Sequence, residues 1–277
     1  MITETIVSNE VVSEEALLTE SEIRRARHEY AENGYFVLRN IVSSEYLAQL
    51  HAALSQEFEQ SSRNGTLFSG GGTLSGHLNC FPGRGARRVY EMLEEAGVID
   101  LAGTLHPRVQ RLPNVGCNFN LPGSHTQHWH IDRPFNRSFI IVNVAVVDST
   151  IENGATEVIP GTHKEFYKYT RFVRERVGSR GVRVPLRRGD VMVRDSNVWH
   201  RGTTNHTKVP RPMLAFTWED GGSEAADPFA AHDGQIRFIP NWFKLNTLGR
   251  LREQLFVRVP VSYTAMRLAR SLVDPEY

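Results

Sequence analysis

Cysteine is nearly absent from this chain. Cys80 and Cys117 are the only two among 277 residues, too few for a disulfide framework, so a reducing, intracellular compartment is expected. Charge of one sign is missing as well. Lys and Arg number 32 against 31 Asp and Glu, a balance that excludes a general attraction to nucleic acid or to a membrane surface. No apolar run approaches the roughly eighteen residues of a membrane span. The opening Met1–Glu10 has neither the basic n-region nor the apolar h-region of a signal peptide. The expectation is a cytoplasmic chain, long enough for one large domain with a sizeable core.

What is present is a constellation of metal-ligand type. His130, Ile131 and Asp132 are answered some seventy residues later by His200. Alternate side chains of a β-strand share a face, so His130 and Asp132 can reach one ion from one strand, with His200 arriving from a neighbour. Two imidazoles and a carboxylate form the facial triad that holds non-heme Fe(II) with positions left open. A short His/Asp pair is weak alone, and the bland reading is two buried histidines and a turn aspartate. His128 shares parity with His130, so a three-histidine site of the cupin type is a further alternative.

Arg211 adds weight. It heads the apolar, β-prone run Arg211–Trp218, and a buried guanidinium needs an anion beside it. A carboxylate accepts its two-pronged bonding best. A metal triad with a carboxylate-binding Arg suits a keto-diacid that chelates the metal at one end and pairs with Arg211 at the other.

The rest of the chain reads as helices around strands. Residues 1–18 are acidic and polar, a flexible lead-in to a unit covering 19–277. Thr19 to about Asn33 is a capped helix ended by Gly34, followed by a short strand at Tyr35–Leu38. A second helix starts at Ser43, and a third covers Glu91–Leu105. Residues 61–88, rich in Gly, Ser, Asn and Arg, read as a functional loop or lid. Its Gly70–Gly72 and Gly83–Gly85 lack the ending of a phosphate loop. Arg84, Arg87 and Arg88 read as a solvated cluster. From Arg111 the character turns to strands, with Arg137–Val147 a near-continuous apolar run fitting a strand covered on both faces. Several short strands punctuated by Gly, Pro and Asn suggest a sandwich or barrel. Trp242–Leu272 is helix-prone and interrupted at Pro260. There Leu248, Leu251, Leu255 and Phe256 form an apolar stripe expected to dock on the core.

These pieces together resemble the phytanoyl-CoA dioxygenase family of Fe(II)/2-oxoglutarate-dependent oxygenases. The resemblance is carried by Glu32–Leu38, the triad, Glu152–His163, Gly189–Val191, His200–Gly202 with Asn205, and Arg211, in that family's order over about residues 20–220. It implies a mainly β fold with helical additions, a double-stranded β-helix or jelly roll whose core spans about 110–220. It also implies Fe(II), 2-oxoglutarate and O2, with His130, Asp132 and His200 as metal ligands and Arg211, Gln127 and Thr156 as co-substrate contacts. Strand parity does not by itself turn Gln127 toward the metal; a bulge would. Halogenating relatives carry a small residue where this chain has Asp132, so the resemblance implies hydroxylation or a related oxidation. The expected partner is a small molecule, natural-product intermediates among the candidates. Two rival readings remain at this point: a cupin-like metalloenzyme that does not use 2-oxoglutarate, and a non-enzymatic jelly-roll binding module.

Overall fold

A computed structural model describes residues 17–67, 75–239 and 247–274. The lead-in at 1–16, the glycine run at 70–72 and the start of the helix-prone tail at 242 lie outside the described residues. Helix α1 (Glu20–Asn33) begins at a capping box in which Thr19 and Glu22 satisfy each other's backbone N–H groups. It ends at Gly34, whose φ of 80° puts it in the left-handed region. Ser43 caps α2 (Ser44–Arg63), which buries Leu47, Leu50 and Leu54 at helical spacing.

The single helix expected over 91–105 is two. α3 (Gly85–Glu95) and α4 (Val98–Leu105) are separated by Gly97, whose left-handed φ of 79° a continuous helix cannot hold. The stretch 61–88 is likewise more ordered than a loop. It contains the end of α2, the strand β2 (His77–Pro82) and the start of α3.

The remaining strands are β1 (Tyr35–Leu38), β3 (Asn114–Asn120), β4 (Ile140–Ala145), β5 (Glu157–Val158), β6 (Val182–Arg183), β7 (Val191–Asp195), β8 (His200–Arg201), β9 (Arg211–Thr217) and β10 (Ile236–Ile239). Seven form one sheet in the order β1-β7-β4-β9-β3-β2-β10, and three form a second in the order β6-β5-β8. All pairs are antiparallel. This is a jelly-roll core with helices. Its large sheet is wider than 110–220, because β1, β2 and β10 come from outside that range.

Period-two alternation separates the faces of the large sheet. The outer face presents Leu38, Val193, Val142, Val144, Leu214, Phe216, Cys117 and Phe119, buried against Ala26, Leu54, Val89, Leu93 and Leu101 of α1 to α4. The inner face meets the small sheet over β1, β7, β4 and the start of β9. There Ala145, Met192 and Met213 pack on Val158, Val184, Leu186 and Val198.

The C-terminal helices are α6 (Thr247–Arg258) and α7 (Pro260–Val273), separated at Pro260 as the sequence suggests. The shorter α5 (Tyr169–Arg174) receives α7 through Ser271, whose hydroxyl accepts from the Thr170 N–H. The apolar stripe of α6 does not dock as expected. Leu248, Leu251 and Leu255 are exposed, and of the four only Phe256 packs inward, edge-on to His128 and Tyr263. No helix among the described residues is long and apolar enough to cross a membrane.

Candidate metal centre

His130 and His200 face each other across the edge of the small sheet. Each donates its backbone N–H to the other's carbonyl, at 3.2 and 3.0 Å, and their rings lie 4.4 Å apart. Directly opposed residues of antiparallel strands share a face. Val158 is paired with His200 and lies in the apolar layer between the sheets, so both imidazoles point inward. Asp132 follows, its backbone N–H donating to Ser196. One carboxylate oxygen lies 3.5 Å from His200 Nε2, and the other accepts from Arg194 Nη1 at 2.8 Å. The three side chains offer ligand atoms all within 4.8 Å of one another.

Their protonation suits a cation. His130 Nδ1 lies 2.8 Å from the His128 carbonyl and His200 Nδ1 lies 3.0 Å from the Val198 carbonyl. A carbonyl can only accept, so the proton sits on Nδ1 and each Nε2 keeps its lone pair for a metal. Burial pushes both imidazoles toward the neutral form, and Arg194 adds to this at His200. For Asp132 burial alone raises the carboxyl pKa, but the Arg194 guanidinium and the two imidazoles outweigh it and hold it well below the usual carboxylate range. Two neutral imidazoles and one ionised carboxylate are the donor set that Fe(II) takes with positions left open, so the residues fit that ion.

The chain around Gln127 departs from regular alternation. Gln127 N–H bonds to the Gly202 carbonyl and His130 N–H to that of His200. Three steps on one strand therefore match two on the other, which is a β-bulge. The extra residue puts Gln127, not His128, in step with His130. Gln127 Oε1 accepts from the Gly202 N–H at 2.8 Å. His128 turns outward, stacked on Tyr263 at 3.8 Å with its Nε2 at 3.2 Å from the Phe256 carbonyl. Thr156 lies next to β5, its carbonyl accepting from the Val184 N–H, and is half-buried.

Arg211 lies at the other side of the same interior. It is 4% exposed; Nη2 donates to the Gly154 carbonyl at 3.0 Å, while Nε is buried without a hydrogen-bond partner. Burial lowers its pKa to about 10. No carboxylate is paired with it among the described residues. A buried cation bonded only to a carbonyl fits an anion that arrives as ligand. The register places Asn120 opposite Arg211 and His77 opposite Asn120, a polar row across three strands. His77 is fixed through Nε2 to the His125 carbonyl at 2.8 Å. Its ring fills the space where Gly202 would carry a Cβ. Burial, with Arg211 and His130 adding to it, lowers the His77 pKa to about 4.

Two residues here escape the sequence reading. Arg194 is the inward-facing guanidinium of an apolar strand, which was its available signal. His77 falls within 61–88, where glycine and serine suggest a loop and only the polar-apolar alternation of His77–Cys80 marks a strand.

The fold is a jelly roll, and it carries a His-Asp-His donor set that could hold a metal ion. The profile of the phytanoyl-CoA dioxygenase (PhyH) family matches residues 30–213, and the chain belongs to that family. Among curated proteins it is similar to dioxygenase lolE1 of Epichloe uncinata, 31% identical over 41% of this chain and 48% of that one. It is also similar to dioxygenase FUM3 of Gibberella moniliformis, 30% identical over 58% of this chain and 50% of that one. The chain thus spans about half the length of these relatives. Among solved structures, the non-heme alpha ketoglutarate dependent epimerase SnoN from nogalamycin biosynthesis shares the fold. Its TM-score is 0.55 at 19% identity, covering 76% of this chain and 91% of that one.

Proposed function

We propose that this chain is an Fe(II)- and 2-oxoglutarate-dependent dioxygenase that oxidises a C–H bond of a small-molecule metabolite. The observation that carries the reading is Arg211, a buried guanidinium with no carboxylate paired to it among the described residues, across the same interior from His130, Asp132 and His200. SnoN, of the same fold, has been solved in complex with Fe3+ and alpha ketoglutarate.

His130, Asp132 and His200 would hold the iron, which together with 2-oxoglutarate and O2 supplies the oxidising power and leaves succinate and CO2. Every other task falls to the chain. Nδ1–H bonds to backbone carbonyls hold both imidazoles in the tautomer with Nε2 free. Arg194 holds Asp132 ionised and fixes which oxygen faces the histidines. Arg211 pairs with the distal carboxylate of the co-substrate, an interaction strengthened by the exclusion of water. Gln127, brought into step with His130 by the bulge, and Thr156 line the co-substrate's flank. Asp132 fills the coordination place that a halogenating enzyme leaves to halide, which favours hydroxylation as the outcome. SnoN is an epimerase, so the product is the point to test.

Succinate release with Fe(II), 2-oxoglutarate, O2 and a metabolite library tests the proposal. Release requiring all of these, with an oxygenated product 16 mass units heavier (one oxygen atom, about 16), supports it. Turnover independent of 2-oxoglutarate moves the chain to the cupin-like reading.

A further inference from the structure

We propose that the half of the inner face that the small sheet leaves uncovered is the primary-substrate cleft, and that it takes a polar, hydrogen-bonding molecule and not an acyl chain. This rests on the oxygenase reading above.

The cleft follows from the register. Inner-face rows run Asn79–Asn118–Met213–Ala145 and, one step on, Gly116–Ala215–Asn143–Met192. A third row runs Asn114–Thr217–Ile141–Arg194. Where the small sheet covers these rows, Ala145, Met192 and Met213 are apolar and buried. Toward β3 and β2 the chemistry changes within the same rows. Asn118 is exposed although β3 is a central strand with β9 on one side and β2 on the other. Its neighbours Cys117 and Phe119, on the outer face, are buried. A central strand exposed on one face only is the floor of an opening.

Two small residues widen it. Gly116 and Ala215 are paired on the central strands β3 and β9, positions where bulky β-branched or aromatic residues are favoured. A Cβ built on Gly116 would meet nothing within 4 Å, and its φ is not left-handed. Neither backbone conformation nor crowding requires glycine there; what it provides is room. Phe81, stacked edge-on against His232 at 5.4 Å, walls the far end.

The cleft adjoins the candidate centre at two places. Thr217 shares its row with Arg194, the partner of Asp132. Asn118 is one inner-face step from Asn120, which is opposite Arg211. A molecule on this floor therefore lies beside both the metal ligands and the co-substrate end. Asn118 and Thr217 offer amide and hydroxyl groups that both donate and accept. They match hydroxyls, amides and carbonyls; an alkyl chain would strip them of water without replacing its hydrogen bonds.

The test compares two probe sets on the Fe(II)-loaded enzyme with 2-oxoglutarate. One holds free amino acids, their amides and monosaccharides; the other holds fatty acids and straight-chain acyl-CoA esters. Members of the polar set should stimulate succinate release, and the acyl set should not. Anaerobic calorimetry then follows the best polar stimulator. Asn118→Leu removes the amide, and Gly116→Leu fills open space without backbone strain. Each should weaken that stimulator about tenfold or more, the cost of roughly one lost hydrogen bond or a blocked floor. Affinity for 2-oxoglutarate should stay within about twofold, since the register pairs Asn118 and Gly116 with Met213 and Ala215 and not with Arg211. Stimulation by the acyl set, by neither set, or undiminished binding in both variants overturns the cleft. Failure of 2-oxoglutarate to bind the wild-type Fe(II) protein is a separate result, and sinks the oxygenase reading itself.

Discussion

The two faces of the large sheet are made by the same strands and have opposite chemistry. Outward, Phe216, Leu214, Val142 and Phe119 are sealed under four helices. Inward, the same strands carry Arg194, Asn118, Asn120 and Arg211. The outer face is where burial stabilises the fold. The inner face holds buried polar groups, three of them with a side-chain atom lacking a hydrogen-bond partner: Asn120 Oδ1, Arg194 Nε and Arg211 Nε. Such groups cost stability unless a ligand completes them. Stability and chemistry are thus separated by the two-residue period of a strand, and substitutions on the two faces should have separable effects.

The largest expected effect is at the metal ligands. His130→Ala or His200→Ala should abolish Fe(II) binding and turnover while the far-ultraviolet circular dichroism stays that of the wild type. Wild-type Fe(II) affinity by calorimetry in either variant refutes the ligand assignment.

The outer face should behave in reverse. Phe216 is fully buried, its ring 5.7 Å from that of Tyr90. Phe216→Ala should cost about 3–5 kcal/mol in denaturant unfolding, yet the molecules that remain folded should bind Fe(II) as before. A stable Phe216→Ala protein that has lost iron would erase the distinction between the faces.

Arg211 gives an intermediate effect. Arg211→Lys keeps the charge and loses the planar two-pronged geometry. Bonds of this kind are worth about 1.5–3 kcal/mol, so the KM for 2-oxoglutarate should rise about tenfold or more. Arg211→Ala should raise it further. The KM of the primary substrate should move much less, and equal losses for both would count against a separate co-substrate pocket.

The smallest effect is on the α6 stripe. Leu251 is 56% exposed, so Leu251→Ser should change stability by less than about 0.5 kcal/mol. A larger loss would mean that the stripe is covered in solution.

The legible parts of this molecule were those in which one residue states its own environment. Gly34 marks a helix end because little else adopts its φ. Arg211 marks a buried guanidinium because it heads an apolar strand. The triad could be named because Arg211 and the ordered motifs around it add weight to a His/Asp pair that is weak alone. Less legible was whatever depends on counting across strands. Parity within the sequence pairs His128 with His130; only the hydrogen bonds of Gln127 and His130 to Gly202 and His200 reveal the added residue that sends His128 to Tyr263. His77 and Asn118 are ordinary polar residues until the register sets them beside Asn120 and Gly116. The break between α3 and α4 is hard to see because Gly97 falls within an apolar pattern that continues on both sides of it. The α6 stripe has the spacing of a docked helix, and spacing alone does not say which side faces the core.

The proposed function requires that one interior hold both a metal and the co-substrate whose far carboxylate pairs with Arg211. Anaerobic titration of the Fe(II) protein with 2-oxoglutarate tests it most directly, read as the weak visible charge-transfer band of a chelated 2-oxo acid. In the wild type the band should grow to saturation at one equivalent. In Arg211→Lys it should need about tenfold more 2-oxoglutarate, and in His200→Ala it should be absent. No band in the wild type, or a titration indifferent to Arg211→Lys, would contradict it.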